Sequence, residues 1–189
     1  MNRAAAVPVW GLAVRVAHWT LAGCVLASLV LYQGGSWHER LGYAAGLIAA
    51  WRCVMGFRAS AAQLRFGSFI RGPAVTWGYA RALRRGREPR HLGHNPLGGW
   101  MILALLLAVS VAAGSGALYA TDRYWGDDTV YAVHRAAGWL LAALAPLHVL
   151  GVAVTSWRQR ENLVLAMLTG RKRPAAPGGS GCSPVPPGA

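Results

Sequence analysis

Four histidines carry most of the chemistry legible in this sequence: His18, His38, His134 and His148. His134 and His148 stand 14 residues apart within one apolar run. At about 100° per residue, that spacing returns the second histidine to within about 40° of the first. At 1.5 Å per residue it separates them by roughly 21 Å. One helix would then show two imidazoles on one face, one near each side of a bilayer. Ionisable side chains at such depth are costly, and they mark function.

The other two histidines supply partners. His18 lies nine residues in from Val9, where its apolar run begins, and His148 lies nine residues before Trp157, where its run ends. Matched depth pairs these two on one level. His38 opens the second run as His134 opens the fourth, so they form a second level pair near the opposite surface. A lone helix histidine bonded to a neighbour would be the ordinary reading in a soluble chain; the depth match argues against it here. Zinc usually takes four nitrogen, sulfur or oxygen ligands in a closed site. Two imidazoles from facing helices suit axial ligation of a haem iron, and bis-histidine ligation favours electron transfer over oxygen binding. Two such haems stacked across a bilayer would carry electrons between its faces.

Arginines accompany the histidines. Arg15 lies one turn before His18, and Arg52 follows His38 by 14 residues, on the same helix face at the opposite level. Each is a candidate for a haem propionate, because guanidinium binds carboxylate through two parallel hydrogen bonds. Arg40 and Arg135 adjoin the outer histidines, and Arg40 reads as snorkelling to headgroups. Glycines recur near the ligands: Gly42 and Gly46 after His38, Gly138 after His134, Gly151 after His148. They suit a flat macrocycle against a helix, and equally small-residue helix packing.

The elements that must position these residues follow from composition. The chain has 189 residues, of which 54% are hydrophobic and 13% charged, against about 25% charged in an average soluble domain. Mean hydropathy is +0.33. These values describe a membrane protein. A net charge of +13 would suit nucleic acid, but the arginines are confined to segments between apolar runs, the positive-inside pattern. Four spans are expected, at residues 9–32, 37–57, 97–119 and 129–157, each near the ~20 residues a helix needs to cross. The N-terminus does not read as a signal peptide, because Arg15 and His18 interrupt the apolar stretch. Cys24, Cys53 and Cys182 have no paired or metal-ligand spacing, and no C-x-x-C-H run attaches a c-type haem.

The loops set the expected orientation. Residues 58–96 hold eight arginines and one acid, Glu88, and residues 158–173 add five more basic side chains. Both termini and the arginine-rich segment are therefore expected in the cytoplasm. The short loops at residues 33–36 and 120–128 face outward, the second with three aspartates that could steer a basic partner. Within the long loop, residues 73–85 resemble an interfacial helix against membrane lipid. Asn95 and Pro96 read as N-cap and first residue of the third span. His91 and His94 read as surface residues, with a quinone or propionate contact by His94 as a lesser reading. The expected organisation is a short N-terminal tail at residues 1–8, a transmembrane unit at 9–173 with its amphipathic segment at 58–96, and a disordered Pro/Gly/Ser-rich tail at 174–189.

Over residues 7–173 the chain resembles the prokaryotic di-haem cytochrome b family, of bacterial cytochrome b561 type, which includes the cytochrome b subunit of nickel–iron hydrogenases. The resemblance rests on Arg15-Val-Ala-His18-Trp19, His38 with Gly42, Arg52, Gly93-His-Asn-Pro-Leu97, His134, His148 and Arg160-Glu-Asn-Leu-Val164. Two features depart from the family pattern: the short loop before His134, and Arg135 where an acid is expected. The resemblance implies an all-α transmembrane four-helix bundle in the bacterial inner membrane. It further implies two haem b groups and electron exchange between the quinone pool and a c-type cytochrome or hydrogenase. A stand-alone cytochrome b oxidising superoxide or quinol is the alternative, and a haem-free transporter or scaffold a further one.

Overall fold

The computed structural model describes residues 6–59, 65–89, 91, 93 and 95–173. His94, Cys182, residues 1–5 and residues 174–189 lie outside the described residues, and with them the readings of a His94 contact and of a disordered tail.

Four long helices dominate: α1 Leu12–Val30, α2 Ser36–Arg58, α5 Pro96–Tyr119 and α6 Asp128–Arg158. Three short ones, α3 Phe66–Phe69, α4 Pro73–Arg84 and α7 Leu163–Thr169, lie at the arginine-rich end. The helix starts have local causes. Asn95 Oδ1 accepts the Gly98 N–H at 2.7 Å with Pro96 in the first turn, and Asp127 Oδ1 accepts the Val130 N–H at 2.9 Å to open α6. Both satisfy amide groups that a helix N-terminus leaves without intrahelical partners.

Among the described residues, α1, α5 and α6 are long and apolar enough to cross a membrane. The fourth expected span, α2, has the length at 23 residues. Its apolar character is diluted by Glu39, Arg40, Arg52 and Arg58. The charges fall at its ends and, with Arg52, on its inward face.

The long helices pack in the order α1, α2, α5, α6. The core between them is built largely from small and aliphatic side chains: Cys24, Ala45, Ala49, Leu106, Ala108, Val109 and Leu141. Small residues let helix backbones approach closely, which is how bundles associate where lipid removes the hydrophobic drive. Gly46 shows the effect, because a Cβ there would stand 2.9 Å from the Ala113 methyl. Leu47, Leu107, Leu140 and Val149 point outward and exposed, as a lipid-facing surface requires.

Two devices close the arginine-rich end. Phe66 and Phe69 of α3 are buried in the core. A Cβ on Gly56 of α2 would overlap the Phe66 ring, and one on Gly99 of α5 would stand 2.8 Å from the Phe69 carbonyl oxygen. Glycine on each helix thus makes the notch into which α3 fits. The second device is a two-residue antiparallel pairing of β1 Val7–Pro8 with β2 Arg171–Lys172. It brings both ends of the described chain to one end of the bundle.

Candidate haem sites

The structure brings the four histidines together as two pairs. The rings of His18 on α1 and His148 on α6 have centroids 6.4 Å apart. The rings of His38 on α2 and His134 on α6 have centroids 5.8 Å apart. A metal–imidazole nitrogen bond is about 2.0 Å, so two imidazoles on opposite sides of one iron have centroids about 6 Å apart. Both pairs match that separation.

The His38–His134 pair is also oriented. His38 Nδ1 is 3.1 Å from the Ser28 carbonyl oxygen of α1, and His134 Nδ1 is 2.9 Å from the Ala112 carbonyl oxygen of α5. A carbonyl only accepts, so each Nδ1 carries the proton and each Nε2 keeps its lone pair free for a metal. Metal-binding histidines are held in this way by the bond their other nitrogen makes. The seat of His134 is Gly116, where a Cβ would stand 3.0 Å from Cε1 and 3.1 Å from Nδ1.

Glycines one turn from the histidines leave the helix surface open. A Cβ added at Gly42, Gly138 or Gly151 would meet nothing within 4 Å. Gly46 is the exception, since its missing side chain is taken up by Ala113. No group of three or more His, Cys, Asp or Glu converges among the described residues. The donor set is therefore two imidazoles per level, which suits an iron already held by a macrocycle.

The two arginines have partners that spacing did not reveal. Arg15 Nη1 donates to the Leu168 carbonyl near the end of α7, while its buried Nε has no hydrogen-bond partner among the described residues. Arg52 shares the inward stripe of α2 with Ala45, Ala49 and Gly56. Its guanidinium carbon lies 5.1 Å from the Phe66 ring centroid and 5.9 Å from that of Phe69, a cation–π arrangement. Arg52 faces the bundle, with an aromatic shelf beside it.

Sequence reasoning missed Gly116 as a histidine seat, the Ser28 and Ala112 carbonyls, and the α3 phenylalanines. It also passed over Pro146 inside α6, two residues before His148, whose ring nitrogen cannot donate to the Ala142 carbonyl. That proline was visible; the contacts join residues distant in sequence and were not.

Outside the spans, a polar cluster joins α4 to the end of α6. Arg158 Nε and Nη2 donate to Glu88 Oε1 and Oε2 at 2.5 and 2.9 Å. This fork holds the Glu88 carboxyl below the usual carboxylate range. Burial pushes the nearby Tyr79 phenol up. Burial, with Arg71 and Lys172 adding to it, lowers His91, whose ring lies 5.5 Å from that of Tyr79.

The family described as prokaryotic cytochrome b561 matches residues 9–170. The chain belongs to this family. Membership makes it a membrane protein with several spanning helices, of a four-helix haem b electron-transfer type. No curated protein and no solved structure matches it.

Proposed function

We propose that this cytochrome b561 protein carries electrons across the membrane through two bis-histidine b-type haems. His18 and His148 hold one haem, and His38 and His134 hold the other. The observation that carries this reading is the ring separation of about 6 Å at both levels of one bundle. When bound, each haem supplies a one-electron iron couple. Residues 9–173 act as one transmembrane unit, with both termini cytoplasmic, and the electrons pass between the quinone pool and a c-type cytochrome or hydrogenase.

The chain's own residues do the positioning. The Ser28 and Ala112 carbonyls fix the His38 and His134 tautomers. Gly42, Gly138 and Gly151 leave the helix surfaces flat. Arg15, one turn from His18 with an unpartnered buried Nε, and Arg52, held on the inward face of α2, offer positive charge to the propionates of the inner haem. Two imidazoles held for each haem would leave small oxidants no open position on its iron.

A haem count with a reduced-minus-oxidised spectrum tests this reading. Two haems per chain are expected. His38→Ala is expected to leave one haem, with the inner spectrum intact. A colourless protein, or loss of both haems together, overturns the assignment.

A further inference from the structure

A shallow, open apolar depression lies between the arginine-rich end of α6 and the start of α7, lined by Val149, Val152, Ala153, Trp157, Arg160 and Val164 among others. Round α6 its lining runs from Val152, about 40° from His148, to Trp157, about 180° from it. Its surroundings are those of a lipid contact: Trp157 is 78% exposed, and Val149, Leu165 and Leu168 are exposed as well.

The polar groups at the mouth of the depression are committed, with one exception. Ser156 Oγ accepts the Leu163 N–H at 3.2 Å. Asn162 Oδ1 accepts the Leu165 N–H at 2.9 Å. Glu161 Oε1 accepts the Arg173 N–H at 2.8 Å. Arg160 is exposed. It is the one non-glycine residue with positive φ among the described residues, at 49°. Its N–H bonds the Trp157 carbonyl at 3.2 Å, and the next residue's N–H bonds the Ser156 carbonyl at 3.0 Å. Glycine or asparagine usually occupies such a left-handed corner after a helix. A charged side chain held there at a backbone cost points to a use for the charge.

We propose that this corner binds one anionic phospholipid, its phosphate on the Arg160 guanidinium and an acyl chain along Val149, Val152 and Ala153. Charge and shape act together here: an apolar depression ends at Arg160, whose guanidinium has no hydrogen-bond or ion-pair partner among the described residues. Arginine at the membrane surface pairs with phosphate through the same fork it uses for carboxylate. The site uses the Arg160-Glu-Asn-Leu-Val164 segment, which the haem sites leave unexplained.

Native mass spectrometry of full-length protein, taken from bilayers of equal phosphatidylglycerol and phosphatidylcholine, tests the proposal. The wild type is expected to retain one phosphatidylglycerol at least tenfold over phosphatidylcholine. Arg160→Gly, which relieves the backbone strain and removes the charge, is expected to lose that preference. Arg160→Lys is expected to keep part of it. Ala153→Trp, which fills the depression, is expected to lose the lipid altogether. Circular dichroism and size-exclusion chromatography check folding independently of haem content. If Ala153→Trp does not fold, the Arg160→Gly and Arg160→Lys comparison decides alone. Equal retention of the two lipids, undiminished retention by Arg160→Gly, or a retained isoprenoid quinone or second copy of the chain in place of the phospholipid overturns the proposal.

Discussion

His134 is held from two directions, and that makes it the most sensitive of the four proposed haem ligands. Its Nδ1–H is tied to the Ala112 carbonyl, and its ring lies flush on Gly116. A valine at 116 would drive its branched carbons into the ring, and valine has little χ1 freedom in a helix with which to avoid the clash. Gly116→Val is therefore expected to reduce outer-haem occupancy while the inner haem stays, read from the haem count and the low-temperature α-band. Full occupancy with unchanged potentials would show that the ring has no need of this seat. Arg52 allows a parallel test at the inner level. A positive charge near a haem favours the reduced state, because reduction adds negative charge. Arg52→Leu is expected to lower the inner potential or weaken inner-haem retention, with the outer haem unchanged, and a redox titration resolving the two haems measures it. If neither potential nor occupancy moves, the guanidinium serves only the Phe66 and Phe69 shelf. The pairing of levels was legible in the sequence because helix rise and rotation are arithmetic. The seat at Gly116 and the shelf under Arg52 were not, because each joins residues on different elements.

At the scale of elements, the long helices could be read from apolar runs to within a few residues: 97–119 against Pro96–Tyr119, and 129–157 against Asp128–Arg158. Residues 73–85 became α4 Pro73–Arg84. What could not be read was α3, whose four residues are too few to show a period. Its position depends on notches that Gly56 and Gly99 cut in two other helices. The Glu88–Arg158 fork was equally hidden, since 70 residues separate the partners. That fork ties the segment after α4 to the last turn of α6, the helix that carries both His134 and His148. Its pH dependence has a definite sign. The Glu88 carboxyl titrates lower in the folded protein than in the unfolded chain, so its stabilisation is complete above the unfolded value of about 4.3. It fades as pH falls through the depressed folded value. Thermal unfolding in detergent is expected to show the wild type above Glu88→Gln at pH 7, with the gap closing as the solution is acidified below about pH 4. A gap that persists unchanged in acid would mean that the charge on Glu88 is not what holds the two segments together.

Over the whole molecule, charge and connectivity point the same way. The helices return through short loops at one end, where Gly34 and Gly35 take φ of 91° and 97°, a conformation open to glycine but strained for other residues. At the other end lie α3, α4, α7, the Glu88–Arg158 fork and the β1–β2 pairing, together with most of the arginines. The pairing of Val7 with Lys172 and Pro8 with Arg171 means that the two ends of the described chain meet on one side of the bundle. That side carries Arg58, Arg65, Arg71, Arg81, Arg84, Arg85 and Arg87, and short loops rich in Lys and Arg stay in the cytoplasm during insertion. The proposed orientation rests on this pattern: it puts the termini and arginine-rich segment inside, residues 120–127 with Asp122 and Asp127 outside, His18 and His148 on the inner level, and His38 and His134 on the outer. A reporter that is active only in the cytoplasm, fused after Arg173, is expected to be active. A reporter that needs export, inserted beside Gly126 in the opposite loop, is expected to be active as well. Exported activity after Arg173 would turn the bundle over. The histidine pairs would stand as they are, but His38 and His134 would then face the cytoplasm, and the direction in which each level meets its redox partner would be exchanged.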